Sequence, residues 1–175
     1  MADCKNIVVS AVKKVLIAPM GADKSEATDL GFTGDTVTFT AAQSFTEVRV
    51  DQRLGIVRRV PTEATYTVAI PLNEITIDNL AYGLGVEFDS DGYATIATER
   101  YFQMWIETEG PVIAEGAGKY NRSIYIPKLS VGGTAEIGFS RTDKQTDNLE
   151  CTIVNCNDSN IFQIVDSEES ASESL

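Results

Sequence analysis

Apolar and polar positions alternate along most of this chain, and the alternation predicts strands interrupted once by a helix. The clearest run begins at Glu47. Glu47-Val48-Arg49-Val50-Asp51 alternates charged and apolar residues with period two, the pattern of a half-buried strand. Gln52 to Pro61 holds Gly55 and Pro61 and reads as a loop. Ala64 to Leu72 is β-branched and aromatic, with Ala64, Tyr66, Val68, Ile70 and Leu72 on one face. The period then changes. Asn73 is a candidate N-cap, and Gly85 supplies a stop. Ile77, Leu80, Ala81 and Leu84 recur at the spacing of a helical stripe. A long hairpin is thus expected to lead into a helix, Asn73–Leu84, that packs on the body through those four apolar residues.

The same reading extends in both directions. Ile7–Val12 and Val15–Ala18, split by Lys13 and Lys14, have the character of an N-terminal strand or arm. Asp23 to Gly34 reads as an acidic loop, and Asp35–Thr40 starts the next strand. Asp89-Ser90-Asp91-Gly92 fits a solvated turn, with a calcium loop as the alternative. In a calcium-loop frame Glu87 would stand first and Thr98 twelfth, where a bidentate Glu belongs. Thr98 to Glu109 is a strand. Phe102, Met104 and Ile106 alternate with Tyr101, Gln103, Trp105 and Glu107, so large side chains on both faces imply burial on one side and a subunit contact on the other. Tyr120–Leu129 is another strand, and Pro127 places it at a sheet edge or at its own end. Thr134–Ser140 and Leu149–Val154 read as paired strands, and Ile161–Val165 as a last short one. The Ser/Glu stretch Asp166–Leu175 has the composition of a disordered tail.

Composition bounds this picture. At 175 residues one domain is expected. It spans residues 1–165, with residues 1–22 as an N-terminal arm and residues 166–175 as the acidic tail. A chain of this length buries about 70% of its unfolded surface and needs no disulfide or metal to fold. The net charge of −12 is unusual; without Asp166, Glu168, Glu169 and Glu173 the body still carries −8. An acidic body argues against binding nucleic acid through its phosphates. Three cysteines, Cys4, Cys151 and Cys156, form no repeated spacing, and the Cys151/Cys156 pair reads as reduced thiols. With no His and no third nearby thiol, no metal site and no cofactor are expected. The N-terminus lacks the pattern of a signal peptide, and no apolar run approaches the ~20 residues of a membrane span. A reducing cytosol before assembly is the expected compartment.

Catalytic signatures are missing as well. The chain has no His, no Gly-x-Ser-x-Gly elbow, and no third glycine after Gly83-x-Gly85. "EGAGKYN" around Lys119 has Ile113 where a phosphate loop begins with glycine. Scattered carboxylates leave a two-carboxylate glycosidase site open, but no enzyme is expected. Arg49, Arg53, Arg58 and Arg59 cluster in the long hairpin. They read as a solvated tip or as a contact with an acidic partner. Nucleic-acid binding is the weakest reading, because no aromatics are interleaved.

"TYTVAIPLNEITIDNLAYGLG" (Thr65–Gly85), with Leu72, Glu74, Thr76, Asn79 and Leu80 at the strand-to-helix junction, resembles the major tail tube proteins of long-tailed bacteriophages. The opening "KNIVVSAVKKVLIAPMGA" (Lys5–Ala22) and "LGFTGDTVTF" (Leu30–Phe39) are similar to that family too, and the resemblance runs from about Ile7 to Val165.

The resemblance implies a mainly β fold. It would be a two-sheet sandwich, or barrel-like, with one flanking helix and a long hairpin loop. It also implies a structural virion protein. Subunits would form six-membered rings that stack into a hollow tube for genome passage, with tape measure and tail terminator proteins as further partners. DNA would pass without specific binding. Six copies at −12 carry −72 formal charges, and an acidic wall repels phosphate within a Debye length of ~8 Å. Glu47, Arg49 and Asp51 are then expected to face the lumen, with Val48 and Val50 in the core. The tip residues Arg53, Leu54, Ile56, Val57, Arg58 and Arg59 are expected to contact the next ring. The inner tube of a contractile tail or secretion machine is the alternative within this class. A small-molecule-binding β-barrel is the alternative outside it.

Overall fold

The structure, a computed structural model, describes residues 11–34, 36–49, 55–73, 76–96, 101–112, 119–132, 147–155 and 160–169. It is mainly β. The described strands are β1 (Ala11–Pro19), β2 (Thr28–Asp29), β3 (Thr38–Val48), β4 (Arg58–Leu72), β5 (Val86–Phe88), β6 (Ala94–Ile96), β7 (Tyr101–Val112), β8 (Lys119–Val131), β9 (Asp147–Ile153) and β10 (Gln163–Glu169). One helix, α1 (Ile77–Leu84), follows β4. Eight strands form one antiparallel sheet in the order β2-β1-β7-β8-β9-β4-β3, with β10 added to β8; β5 and β6 form a separate hairpin.

That sheet curls until its inner face packs on itself. Period-two positions from nearly every long strand enter one cluster: Val15 and Ile17, then Val68, Ile70 and Leu72, then Phe102, Met104 and Ile106. Ile126 and Leu129 join them, with Leu149, Cys151 and Ile153. A flat sheet could not bring β1 and β4 into a common core. The architecture is therefore barrel-like, in place of two separate facing sheets.

A short strap closes the curl. Thr28 and Asp29 pair with Ile17 and Leu16 of β1, and the Leu30 amide donates to the Val15 carbonyl at 2.9 Å. Three residues later the chain reaches the end of β4, past its last pair with β3 at Ala69. Thr33 bridges Leu72 of β4, the Gly34 amide donates to the Pro71 carbonyl at 2.8 Å, and the Asn73 amide donates to the Phe32 carbonyl at 2.9 Å. Between these two anchorages Leu30 is fully buried in the core. Lys14 pairs with Asp29 at 3.4 Å across the first junction. Residues 23–34, expected as a plain acidic loop, thus carry the segment that shuts the barrel, because a single apolar side chain between two backbone-paired ends can plug the seam.

Residues 11–19 are no arm: Val15, Leu16, Ile17 and Ala18 are all buried, with β2 on one side and β7 on the other. Asn73 is not the N-cap. Its amide is taken by the strap, and Thr76 caps α1, its Oγ1 accepting from the Asn79 amide at 3.1 Å. Gly85 does end the helix, in the left-handed region at φ +65. Pro127 lies in an interior strand. The β7–β8 register shifts between Phe102 and Met104, leaving Pro127 in a bulge. On the other edge of β8 it falls in the gap between β10, which pairs 119–125, and β9, which pairs 129–131. Its missing N–H is therefore not demanded by a ladder.

The tail too is partly ordered. β10 continues to Glu169, because β9 leaves half of the β8 edge open and residues 163–169 fill it. Arg122 holds the Asp166 carboxylate bidentately at 2.7 and 2.9 Å, and that bond keeps the Asp166 carboxyl below its ordinary range. Cys151 is a buried free thiol, pushed up to about 12 by burial and then by Glu150. Cys4, Cys156 and the expected strand at 134–140 lie outside the described residues.

Leu30→Ala opens a cavity where the seam closes and should cost roughly 2–5 kcal/mol. Denaturant titration reads this directly; a loss below about 1 kcal/mol would show that Leu30 does not hold the barrel shut.

Candidate assembly surfaces

Beyond the barrel, β3 and β4 continue as a two-stranded ribbon. β4 has β9 as a neighbour only from Tyr66 onward, so residues 58–65 pair with β3 alone. At ~3.3 Å per residue this projects the ribbon by about 25 Å. Residues 40–48 are exposed throughout, and of residues 58–65 only Val60 is half-buried. The register shifts between Ser44 and Phe45, next to Pro61, whose far edge is open. Pro61 therefore sits within β4, and so do Arg58 and Arg59, opposite Val48 and Glu47. The expected loop over residues 52–61 is thus shorter at its far end.

The ribbon carries chemistry that a free hairpin does not need. Phe45 is 43% exposed and Val48 42% exposed, and Ile56 and Val57 are similarly open. Val48 was expected in the core; the ribbon has no core of its own, so period two gives it two wet faces here. Glu47 gathers two arginines, Arg49 at 3.2 Å and Arg59 at 3.7 Å. The Arg59 guanidinium also lies 5.1 Å from the centre of the Phe45 ring. Such exposed pairs contribute about 0–1 kcal/mol each and do not lock the ribbon. Val50, Asp51, Arg53 and Leu54 lie outside the described residues.

Helix α1 presents a second open surface. Its apolar stripe is split: Ile77 is 68% exposed and Leu84 40% exposed, while Leu80 and Ala81 are half-buried. The buried residue is Asn79, whose Nδ2 donates to the Leu30 carbonyl at 3.0 Å. Tyr82 packs edge-on against Phe102 with ring centres 5.2 Å apart. The Thr76 cap and the Asn79 anchor fix the helix rotation, and they leave Ile77 and Leu84 open. Beside the helix, the β5–β6 hairpin exposes Tyr93 and Ile96. Its turn is held by Asp89, whose Oδ1 accepts from the Asp91 and Tyr93 amides at 2.9 and 2.8 Å. Between α1, β5 and the ends of β7 and β8 runs a groove of about 400 Å³.

The outer face of β7 is partly covered by its own chain. The Gln103 amide nitrogen donates to the Pro19 and Ala22 carbonyls, and Tyr125 donates to its oxygen at 3.1 Å. Trp105 stacks on Tyr125 with ring centres 5.2 Å apart. The exposed Phe45, Tyr93 and Ile96 escaped the sequence reading. Phe45 sits in a stretch with no alternation, and the short β5–β6 strands offered too few positions to show a period.

Among the described residues, no three His, Cys, Asp or Glu side chains converge on a metal-sized site, and no helix is long and apolar enough to cross a membrane. No protein-family model and no curated protein matches the chain.

Stability of the dilute protein separates the two faces of α1. Ile77→Ser and Leu84→Ser should each stay within about 0.5 kcal/mol of the parent. Asn79→Ala, which strips a bond from a buried carbonyl, should lose roughly 1–3 kcal/mol. Thermal unfolding that ranks them the other way would return the apolar stripe to the barrel.

Proposed function

We propose that the protein is a structural subunit that assembles with copies of itself, its rings stacking into a hollow tube like those of the tail tube proteins it resembles. The observation that carries this reading is the bare β3–β4 ribbon. A two-stranded hairpin is marginal in water on its own, and this one adds exposed Phe45, Val48, Ile56 and Val57. Both of its outer edges, together with those apolar residues, become favourable only when another surface covers them. Exposed Ile77 and Leu84 on α1 support the same reading from a second side.

In such a ring the hexameric arrangement, the tape measure and terminator partners and the virion location follow from the resemblance. The acidic charge fits a passage that releases DNA. The ligand-binding barrel is the weaker reading. It needs space inside, and here the inward positions are filled by Val15, Ile17, Leu30, Met104, Ile126 and Leu149, all fully buried.

The test is assembly. Concentrated protein should give rings or tubes by negative-stain microscopy. Arg58→Glu combined with Arg59→Glu should leave the far-UV spectrum unchanged and block elongation at physiological salt. Parent protein that stays monomeric at high concentration would contradict the proposal, and a double variant that builds normal tubes would remove the arginines from the contact.

A further inference from the structure

We infer that the groove between α1 and β5 receives the ribbon tip of a second copy of this chain. This rests on the tube reading and names the two surfaces that would meet. The groove has aromatic and aliphatic walls, Tyr82, Phe88, Phe102 and Val131, and two carboxylate residues among its lining, Asp78 and Glu87. Among the described residues, no lysine or arginine lines it. Exposed Ile77 and Leu84 on α1 and Ile96 on β6 extend the apolar surface of the same region.

The ribbon tip offers the complement. Ile56 and Val57 are exposed side by side, followed by exposed Arg58 and Arg59. Aliphatic side chains suit the aromatic walls. A guanidinium can hold a carboxylate and lie over an aromatic ring at once, as Arg59 already does with Glu47 and Phe45. A groove of about 400 Å³ is large enough for a few side chains and too small for a folded element.

Geometry excludes the tip's own groove, and the matching chemistry of tip and groove makes a second copy the partner. The tip stands at the start of β4, and the groove forms beside the helix that follows its end. Fifteen residues of extended strand put about 45 Å between those ends, so a tip cannot reach its own groove. A donor surface at one end and an acceptor surface at the other make a heterologous contact, which repeats along an axis without closing.

A charge swap tests the pairing. Arg58→Glu/Arg59→Glu and Asp78→Arg/Glu87→Arg should each raise the concentration needed for tube formation at least about tenfold. All four changes in one chain should restore assembly, because the charges are exchanged across every contact. A second readout does not depend on charge: a Val57→Cys copy mixed with a Val86→Cys copy should form a disulfide-linked pair under mild oxidation. Circular dichroism confirms that each variant is folded. Restoration together with capture supports the pairing. Tubes that are indifferent to the groove variant and give no capture overturn the pairing and leave the tube reading standing. Capture without tubes supports the pairing and overturns the tube. A parent protein that does not assemble, together with cysteine copies that give no capture, overturns both.

Discussion

Everything in this fold depends on closing one seam. The strand order ends in β2 beside β1 and in β3 beside β4, and the segment from Thr28 to Gly34 is backbone-paired both to β1 and to the end of β4 that lies past its last pair with β3, Thr38 and Ala69. Its centre, Leu30, fills the core with its side chain, while its carbonyl accepts from Asn79 of α1. Barrel closure and helix docking are therefore one event. The helix cannot rotate to bury Ile77 and Leu84 without abandoning that carbonyl, and a buried carbonyl without a partner is costly. The exposure of Ile77 and Leu84 is a consequence of how the seam is shut.

The same closure sets the boundary between what folds alone and what does not. Inside the seam, strands supply alternate residues to a single buried cluster. Before Tyr66 β4 has no β9 beside it, and there β3 and β4 run without a core. A closed barrel has satisfied its edges; a projecting ribbon has not. A chain with a self-sufficient body and an unsatisfied extension is organised for association. The extension and the apolar helix face lie toward opposite ends of β4, which favours association in a line.

Much of the barrel was legible in the sequence. Val68, Ile70 and Leu72, then Phe102, Met104 and Ile106, sit inward as strict alternation demands. The Gly85 stop was legible because a left-handed cap leaves a chemical mark. Elsewhere local pattern failed for identifiable reasons. Leu30 is one apolar residue in an acidic segment, so no periodicity announces it. Asn73 and Thr76 are both good caps, and the choice between them was made by a backbone bond to Phe32 across 41 positions of sequence. The period-three-and-four stripe on α1 was read correctly as apolar, but a stripe says nothing about whether its own chain covers it. Val48 alternates as a core residue would, in a strand that has left the core. The Ser/Glu composition at 166–169 hid a strand that the open half of the β8 edge and Arg122 recruit.

The central claim is that a closed barrel carries a ribbon completed only by a partner, and native-state hydrogen exchange at two concentrations tests it most directly. In dilute protein, amides around Val15, Met104 and Ile126 should exchange only by global unfolding, while ribbon amides at 40–48 and 58–64 should exchange orders of magnitude faster. Raising the concentration should slow the ribbon and leave the barrel unchanged. Ribbon amides as protected as the barrel in dilute monomer, or insensitive to concentration, would contradict the account.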